Sequence, residues 1–214
     1  MKMSNPKRSV VSWLSEVVSF ILHPVFVPFY AVLLYFHVSP RFFLSQNINS
    51  LTNYLLLVSV AIPLLFLFVL RFVGIIKSFQ LQSPRERLFF TVIMASVYLI
   101  IFSKLIAFHD YLELLPFFFG IFLSLMMLAV FNWQNIKPSI HTVAVSGVLT
   151  FFLIWSYYSR INILSYISII IFETALVVSA RLYLQAHSFR EITMGLMIGI
   201  FMQIISFFFV LEFF

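Results

Sequence analysis

Three stretches of this chain hold residues that could move a phosphoryl group. The first reads Arg181-Leu-Tyr-Leu-Gln-Ala-His187-Ser-Phe-Arg-Glu191. His187 and Glu191 are four apart, so on a helix they share a face, and the carboxylate can hold the imidazole in one tautomer and stabilise its charged form. That is the orienting half of a nucleophile or base pair. Arg181 lies six residues before His187, off its face on a continuous helix, and converges on it only if the chain turns between them. The second stretch, Lys137-Pro-Ser-Ile-His-Thr142, sits where a loop enters an apolar run. Pro138 suits a first helical turn, Ser139 and the free amides of that turn are ready donors to an anion, and His141 stands one turn inside. The third, Lys77-Ser-Phe-Gln-Leu-Gln-Ser-Pro-Arg-Glu-Arg87, supplies Lys77, Arg85 and Arg87, and guanidinium groups can clamp a phosphate in a bidentate way. Each stretch also has a plainer reading: a helix start capped by Ser139, a basic loop in which Glu191 pairs with Arg190 or His187 for solvation, and a membrane-edge loop that meets lipid headgroups.

The surroundings of these residues are apolar. Of 214 residues, 63% are hydrophobic, 19% aromatic and 9% charged, whereas a soluble domain carries roughly a quarter charged residues. A soluble globule is excluded, and so is disorder, because a chain this apolar can bury ample surface. The absence of cysteine removes disulfides, thiolate metal sites and thiol catalysis. The net charge of +6 is spread too thinly along the chain for a nucleic-acid surface. A helical crossing of a bilayer core needs about 20 apolar residues, and seven runs approach that length, at about 17–37, 54–76, 88–107, 111–131, 141–157, 161–180 and 192–214. They predict an all-α, polytopic transmembrane bundle of six to seven spans, one domain over residues 1–214.

The first run follows Lys2, Lys7 and Arg8 and reads as a retained anchor, since it is too long for a signal peptide and lacks a small-residue cleavage site. Only Phe108, His109 and Asp110 separate the third run from the fourth, which either form a tight hairpin or fail to cross fully. With seven crossings, parity brings the segments 77–87, 137–141 and 181–191 to one membrane face. Most of the basic residues on that face are those of the candidate anion site, so they assign no sidedness. His23, beside Pro24 and Pro28, reads as the mark of a kinked first helix. Glu173 and Lys104, inside apolar runs, are functional candidates by their position. The five histidines never fall at a ligand spacing such as H-x3-H, so neither a metal nor another cofactor is expected.

Lys137-Pro-Ser-Ile-His141 resembles the second motif of the type 2 phosphatidic acid phosphatase family, usually P-S-G-H, and Arg181-x5-His187-x3-Glu191 resembles its third, S-R-x5-H-x3-D. The run from Ser179 to Gly199, with Gly195 and Gly199 opening the last span, is similar to compact bacterial members of that family. The family's first motif, K-x6-R-P, is displaced. Counted from Lys77, its Arg would fall at Pro84, just before Arg85; counted back from Arg87, Gln80 stands in the place of Lys. The resemblance implies that His187 takes the phosphoryl group, that Glu191 orients it in place of the usual Asp, and that His141 protonates the leaving oxygen. It also implies that Arg181, Ser139, Lys137, Lys77 and Arg87 or Arg85 hold the phosphate oxygens.

The expected protein is an integral membrane lipid phosphate phosphatase of the bacterial inner membrane. It would be metal-independent, would act through a phosphohistidine, and would meet a lipid phosphate or pyrophosphate and the bilayer but no nucleic acid. Phosphoryl transfer requires alignment and charge neutralisation, and guanidinium groups with backbone amides provide both. Ile140 in place of Gly, Glu191 in place of Asp and the displaced first motif keep a second reading open: a weak or inactive relative that binds anionic lipid or a partner protein. A small transporter using Glu173 and Lys104 is the third.

Overall fold

The computed structural model describes residues 9–41, 45–76, 83–107 and 109–213. The described residues are helical throughout, in the order α1 (Val10–Ile21), α2 (Val27–Val38), α3 (Ser45–Leu55), a π-helical turn (Leu56–Ala61), α4 (Ile62–Phe72), α5 (Pro84–Ala107), a 3-10 turn (His109–Leu114), α6 (Leu115–Trp133), α7 (Ile140–Ser159), α8 (Leu164–Tyr183) and α9 (Phe189–Phe213). Six helical segments are long and apolar enough to cross a membrane: Asn47–Phe72, Pro84–Ile106, Tyr111–Trp133, Ile140–Ser159, Leu164–Tyr183 and Phe189–Glu212. Six of the seven runs thus become single long helices. The protein is an integral membrane helical bundle.

The first run does not become one. It breaks at residues 22–26 into two 12-residue helices, because Pro24 and Pro28 lack the N–H groups a continuous helix would need there. Residues 23–27 instead close local turns, with Phe26 N–H donating to the His23 carbonyl at 2.8 Å. Helix α1 lies across one end of the bundle rather than through it. Its capping Ser9 meets the hydroxyl of Tyr183 at the end of α8, and the carbonyl of Ser19 in its last turn meets His141 at the start of α7. Ser15 and Ser19 face inward, while Val10, Trp13, Phe20 and Ile21 stay exposed, so these serines face protein and an apolar side of α1 faces outward. Helix α2 then runs beside α7 to the opposite end, where His37 meets Tyr166.

The third and fourth runs form a tight hairpin through the 3-10 turn, and α5 and α6 pack along their lengths. In the second run the π-helical turn precedes Pro63, which has no N–H to give, and Ser59 Oγ donates to the Leu55 carbonyl at 2.6 Å inside the widened turn. Helices α7 and α9 approach closely. A Cβ on Gly195 would overlap Thr142 Oγ1 and lie 2.6 Å from the Ser139 carbonyl, and one on Gly199 would overlap Ser146 Oγ and the Val143 carbonyl. Glycine at both positions lets the two backbones touch, as small residues four apart do in membrane bundles. The start of α7 is thereby fixed against the start of α9.

Candidate active site

Both site loops leave their helices through the same kind of turn. At the end of α8, Ala186 N–H donates to the Arg181 carbonyl (3.2 Å) and Gln185 N–H to Leu182 (3.0 Å), with Gln185 at φ 48°. At the end of α6, Ile136 N–H donates to Phe131 (2.9 Å) and Asn135 N–H to Asn132 (3.1 Å), with Asn135 at φ 62°. These are Schellman ends, each needing one left-handed residue. The first supplies the turn that lets Arg181 and His187 face one space although they are six residues apart.

That space is a cavity of about 1030 Å³ whose mouth is lined by Arg87, Lys137, His141, Arg181, His187 and Glu191. The three stretches singled out in the sequence therefore meet at one end of the bundle, through five cations or histidines and one carboxylate. Glu191 has two tasks. Its carboxylate accepts from the backbone N–H of Ser188 (2.8 Å) and from Ser188 Oγ (3.1 Å), while Ser188 Oγ accepts from Glu191 N–H (3.4 Å). This reciprocal box caps α9 and locks the carboxylate in place. The same Oε2 lies 3.4 Å from His187 Nδ1. His187 thus turns Nδ1 to Glu191, and Nε2 is its other ring nitrogen. Burial, then Arg87 and Arg181, push its pKa down to about 4 against the opposing pull of Glu191, so the ring is neutral at pH 7.

His141 is buried. Its Nε2 lies 3.2 Å from the Ser19 carbonyl, a contact that places a proton on Nε2, and its Nδ1 has no partner. Arg87 donates to the Pro138 carbonyl at 3.2 Å and so ties the start of α5 to the loop before α7. Ser139 lies behind the cavity wall. It is fully buried, its N–H donates to the Glu191 carbonyl at 3.0 Å, and its Oγ has no partner. That amide, expected as an anion donor, instead joins the second stretch to the first. Ile140 lines the cavity where the resembled family has Gly. Arg85 is exposed and does not line the cavity, so of the two arginines Arg87 is the one brought to the mouth. Lys77 lies outside the described residues.

Three more cavity residues were not singled out as site residues in the sequence: Glu16, Ser19 and His23. They come from α1 and the turn after it. The His23 ring meets that of His141 edge to face at 5.3 Å, its Nδ1 accepts from the backbone N–H of Val25 at 3.3 Å, and burial and then Arg181 lower its pKa. Through that bond His23 stabilises the turn that interrupts the first run. Its advance signal in the sequence was its place beside Pro24 and Pro28. Glu173 and Lys104 do not line the cavity. Among the described residues no three His, Cys, Asp or Glu side chains converge as a metal-binding group.

The distribution of unsatisfied groups singles out the same end. Among the described residues, six buried side-chain atoms have no hydrogen-bond partner: Ser19 Oγ, Thr52 Oγ1, Asn132 Oδ1, Ser139 Oγ, His141 Nδ1 and Arg181 Nε. All but Thr52 belong to the site end. Of these, Ser19, His141 and Arg181 line the cavity. Compared with family models, with curated proteins and with solved structures, the chain matches none.

Proposed function

We propose that the protein is a lipid phosphate phosphatase that hydrolyses a phosphate monoester or pyrophosphate of a membrane lipid through a phosphohistidine. The observation that carries this reading is the single cavity mouth on which Arg87, Lys137, Arg181, His141 and the His187–Glu191 pair converge. The family resemblance, which points to the bacterial inner membrane, supplies the roles and the local geometry is compatible with them. Neutral His187 attacks phosphorus through Nε2 as the bond from phosphorus to the lipid oxygen breaks. Glu191 then stabilises the imidazolium-like phosphohistidine through Nδ1–H. The resemblance gives protonation of the departing oxygen to His141. Because its Nε2–H is held by the Ser19 carbonyl, the proton it passes on is one that Nδ1 first takes up from water. Water later releases inorganic phosphate and regenerates His187. Arg181, Arg87 and Lys137 neutralise the phosphoryl oxygens throughout, which is where positioning and electrostatics do most in this chemistry.

A phosphate-release assay on the purified protein in detergent, over a panel of lipid phosphates and pyrophosphates, tests it. Hydrolysis that persists in EDTA and is blocked by vanadate, a mimic of the transferring group, is the expected result. Strict dependence on added magnesium contradicts the mechanism. Tight binding of the same lipids with no phosphate released leaves the second reading, a binding relative, which the buried Ser139 amide and the wall residue Ile140 favour.

A further inference from the structure

The cavity does not stop at the polar mouth. Below Arg87, His141 and His187 it continues into the bundle between α5, α6, α7 and α9, past Met94, Leu125 and Val148, and ends against Tyr98, Phe117 and Gln203. On α5, Arg87 at the mouth and Tyr98 at the floor are eleven residues apart, which makes the arm ~16 Å deep at 1.5 Å per residue, about half the ~30 Å of a bilayer's hydrocarbon core. The floor is tied together: Gln203 Nε2 donates to the Pro116 carbonyl at 2.9 Å, and Gly120 leaves the room that the Gln203 amide fills. An apolar arm of one leaflet's depth, opening under a polar mouth where Arg87, Lys137 and Arg181 outnumber Glu16 and Glu191, matches an amphiphile with an anionic head and one hydrocarbon chain.

We infer that this arm receives a single hydrocarbon chain of the substrate, and that Tyr98, Phe117 and Gln203 set the longest chain it accepts in full. The inference rests on the phosphatase reading for the head group and adds the class of tail. Apolar contacts inside the bundle are no more favourable per methylene than those in lipid, so the arm selects by fit and length rather than by greasiness. A chain that remained in the bilayer would meet no floor.

Two measurements on the full chain test it. The first is kcat/KM for straight-chain alkyl phosphates from butyl to octadecyl, kept monomeric in dilute detergent. Each added methylene is expected to raise kcat/KM by about fourfold until the extended chain reaches ~16 Å, after which the rise stops. Met94→Phe and Val148→Phe, which narrow the arm about seven residues below the mouth, should move the break to chains of ~10 Å. A rise with no break, unchanged in both variants, is what partition into detergent alone produces, and it overturns the inference. The second measurement needs neither turnover nor the variants: a dodecyl phosphate with a diazirine at its chain end is photolysed with the protein, and the adducts are mapped by mass spectrometry. Adducts on Met94, Tyr98, Phe117 or Gln203 are expected. Adducts confined to outward residues such as Phe68, Ile100 and Phe172, or none at all, overturn the arm while leaving the phosphatase reading intact. Adducts in the arm without phosphate release from any chain length sustain the arm and remove the phosphatase.

Discussion

The two ends of the bundle each hold a carboxylate and a histidine, and they use them in opposite ways. At the end away from the cavity mouth, Glu113 is saturated by this chain's own donors: Tyr35 Oη at 3.0 Å, Trp155 Nε1 at 2.9 Å and Arg41 at 2.8 Å. His37 there meets Tyr166 at 3.0 Å. At the mouth, Glu191 holds His187, and of the side chains lining the cavity Ser19 Oγ, His141 Nδ1 and Arg181 Nε are buried without a hydrogen-bond partner. The first arrangement joins α2, the 3-10 turn before α6, and α7. The second lines a cavity and leaves polar atoms there unmet. Polar groups inside a membrane protein therefore do not by themselves mark function, and the number of unmet partners separates a clamp from a site.

The largest expected effect breaks the mouth and spares the clamp. His187→Ala should lower turnover by a factor on the order of 10⁴ or more, because removing a nucleophile removes the pathway. His141→Ala should slow the release of a lipid alcohol yet spare p-nitrophenyl phosphate, whose leaving group departs without a proton. Parallel initial-rate assays on the two substrates read this difference. Glu191→Gln comes next, at a factor on the order of 10² or more in kcat with KM little changed, since it keeps shape and removes the charge that stabilises the phosphohistidine. Equal losses in KM would assign Glu191 to substrate binding instead.

The matching substitution at the other end should leave chemistry and cost stability. In Glu113→Leu the nearly fully buried Tyr35 and Trp155 each lose an acceptor, a loss of about 2–4 kcal/mol taken together. A lowered Tm with the rate per folded molecule within a few-fold of the parent is expected, because on α7 Trp155 stands fourteen residues from His141, ~21 Å away. The smallest effect concerns pH. With the His187 pKa depressed from 6.5 to about 4, the reactive neutral ring persists as the solution is acidified, and kcat/KM should lose this group only as pH falls through about 4. An acid limb near 6.5 set by His187, located by comparing pH profiles of the parent and Glu191→Gln, would place that ring in water rather than among Arg87 and Arg181.

Much of the site was legible because it is built from local spacing. His187 and Glu191 are one helical turn apart, and the parity of apolar runs alone brought residues 137–141 and 181–191 to one end. Run length could not see the break at His23-Pro24, since residues 17–37 are apolar on both sides of it. The mistaken single crossing hid Ser19 and His23 from the site. The Glu113 clamp was invisible for a different reason: its partners come from residues 35, 41 and 155, and no periodicity links them. Ser139 was legible as a residue of the site but not in its part, because its amide partner is a backbone carbonyl 52 positions along the chain.

The central claim is that His187 carries the phosphoryl group, and one measurement addresses it directly. A single-turnover reaction with a ³²P-labelled lipid phosphate, quenched in alkali, should trap acid-labile label on the parent protein, with the modified peptide containing His187. The His187→Ala protein should retain none. Label held equally by that variant, or full phosphate release without any trapped intermediate, would contradict the account.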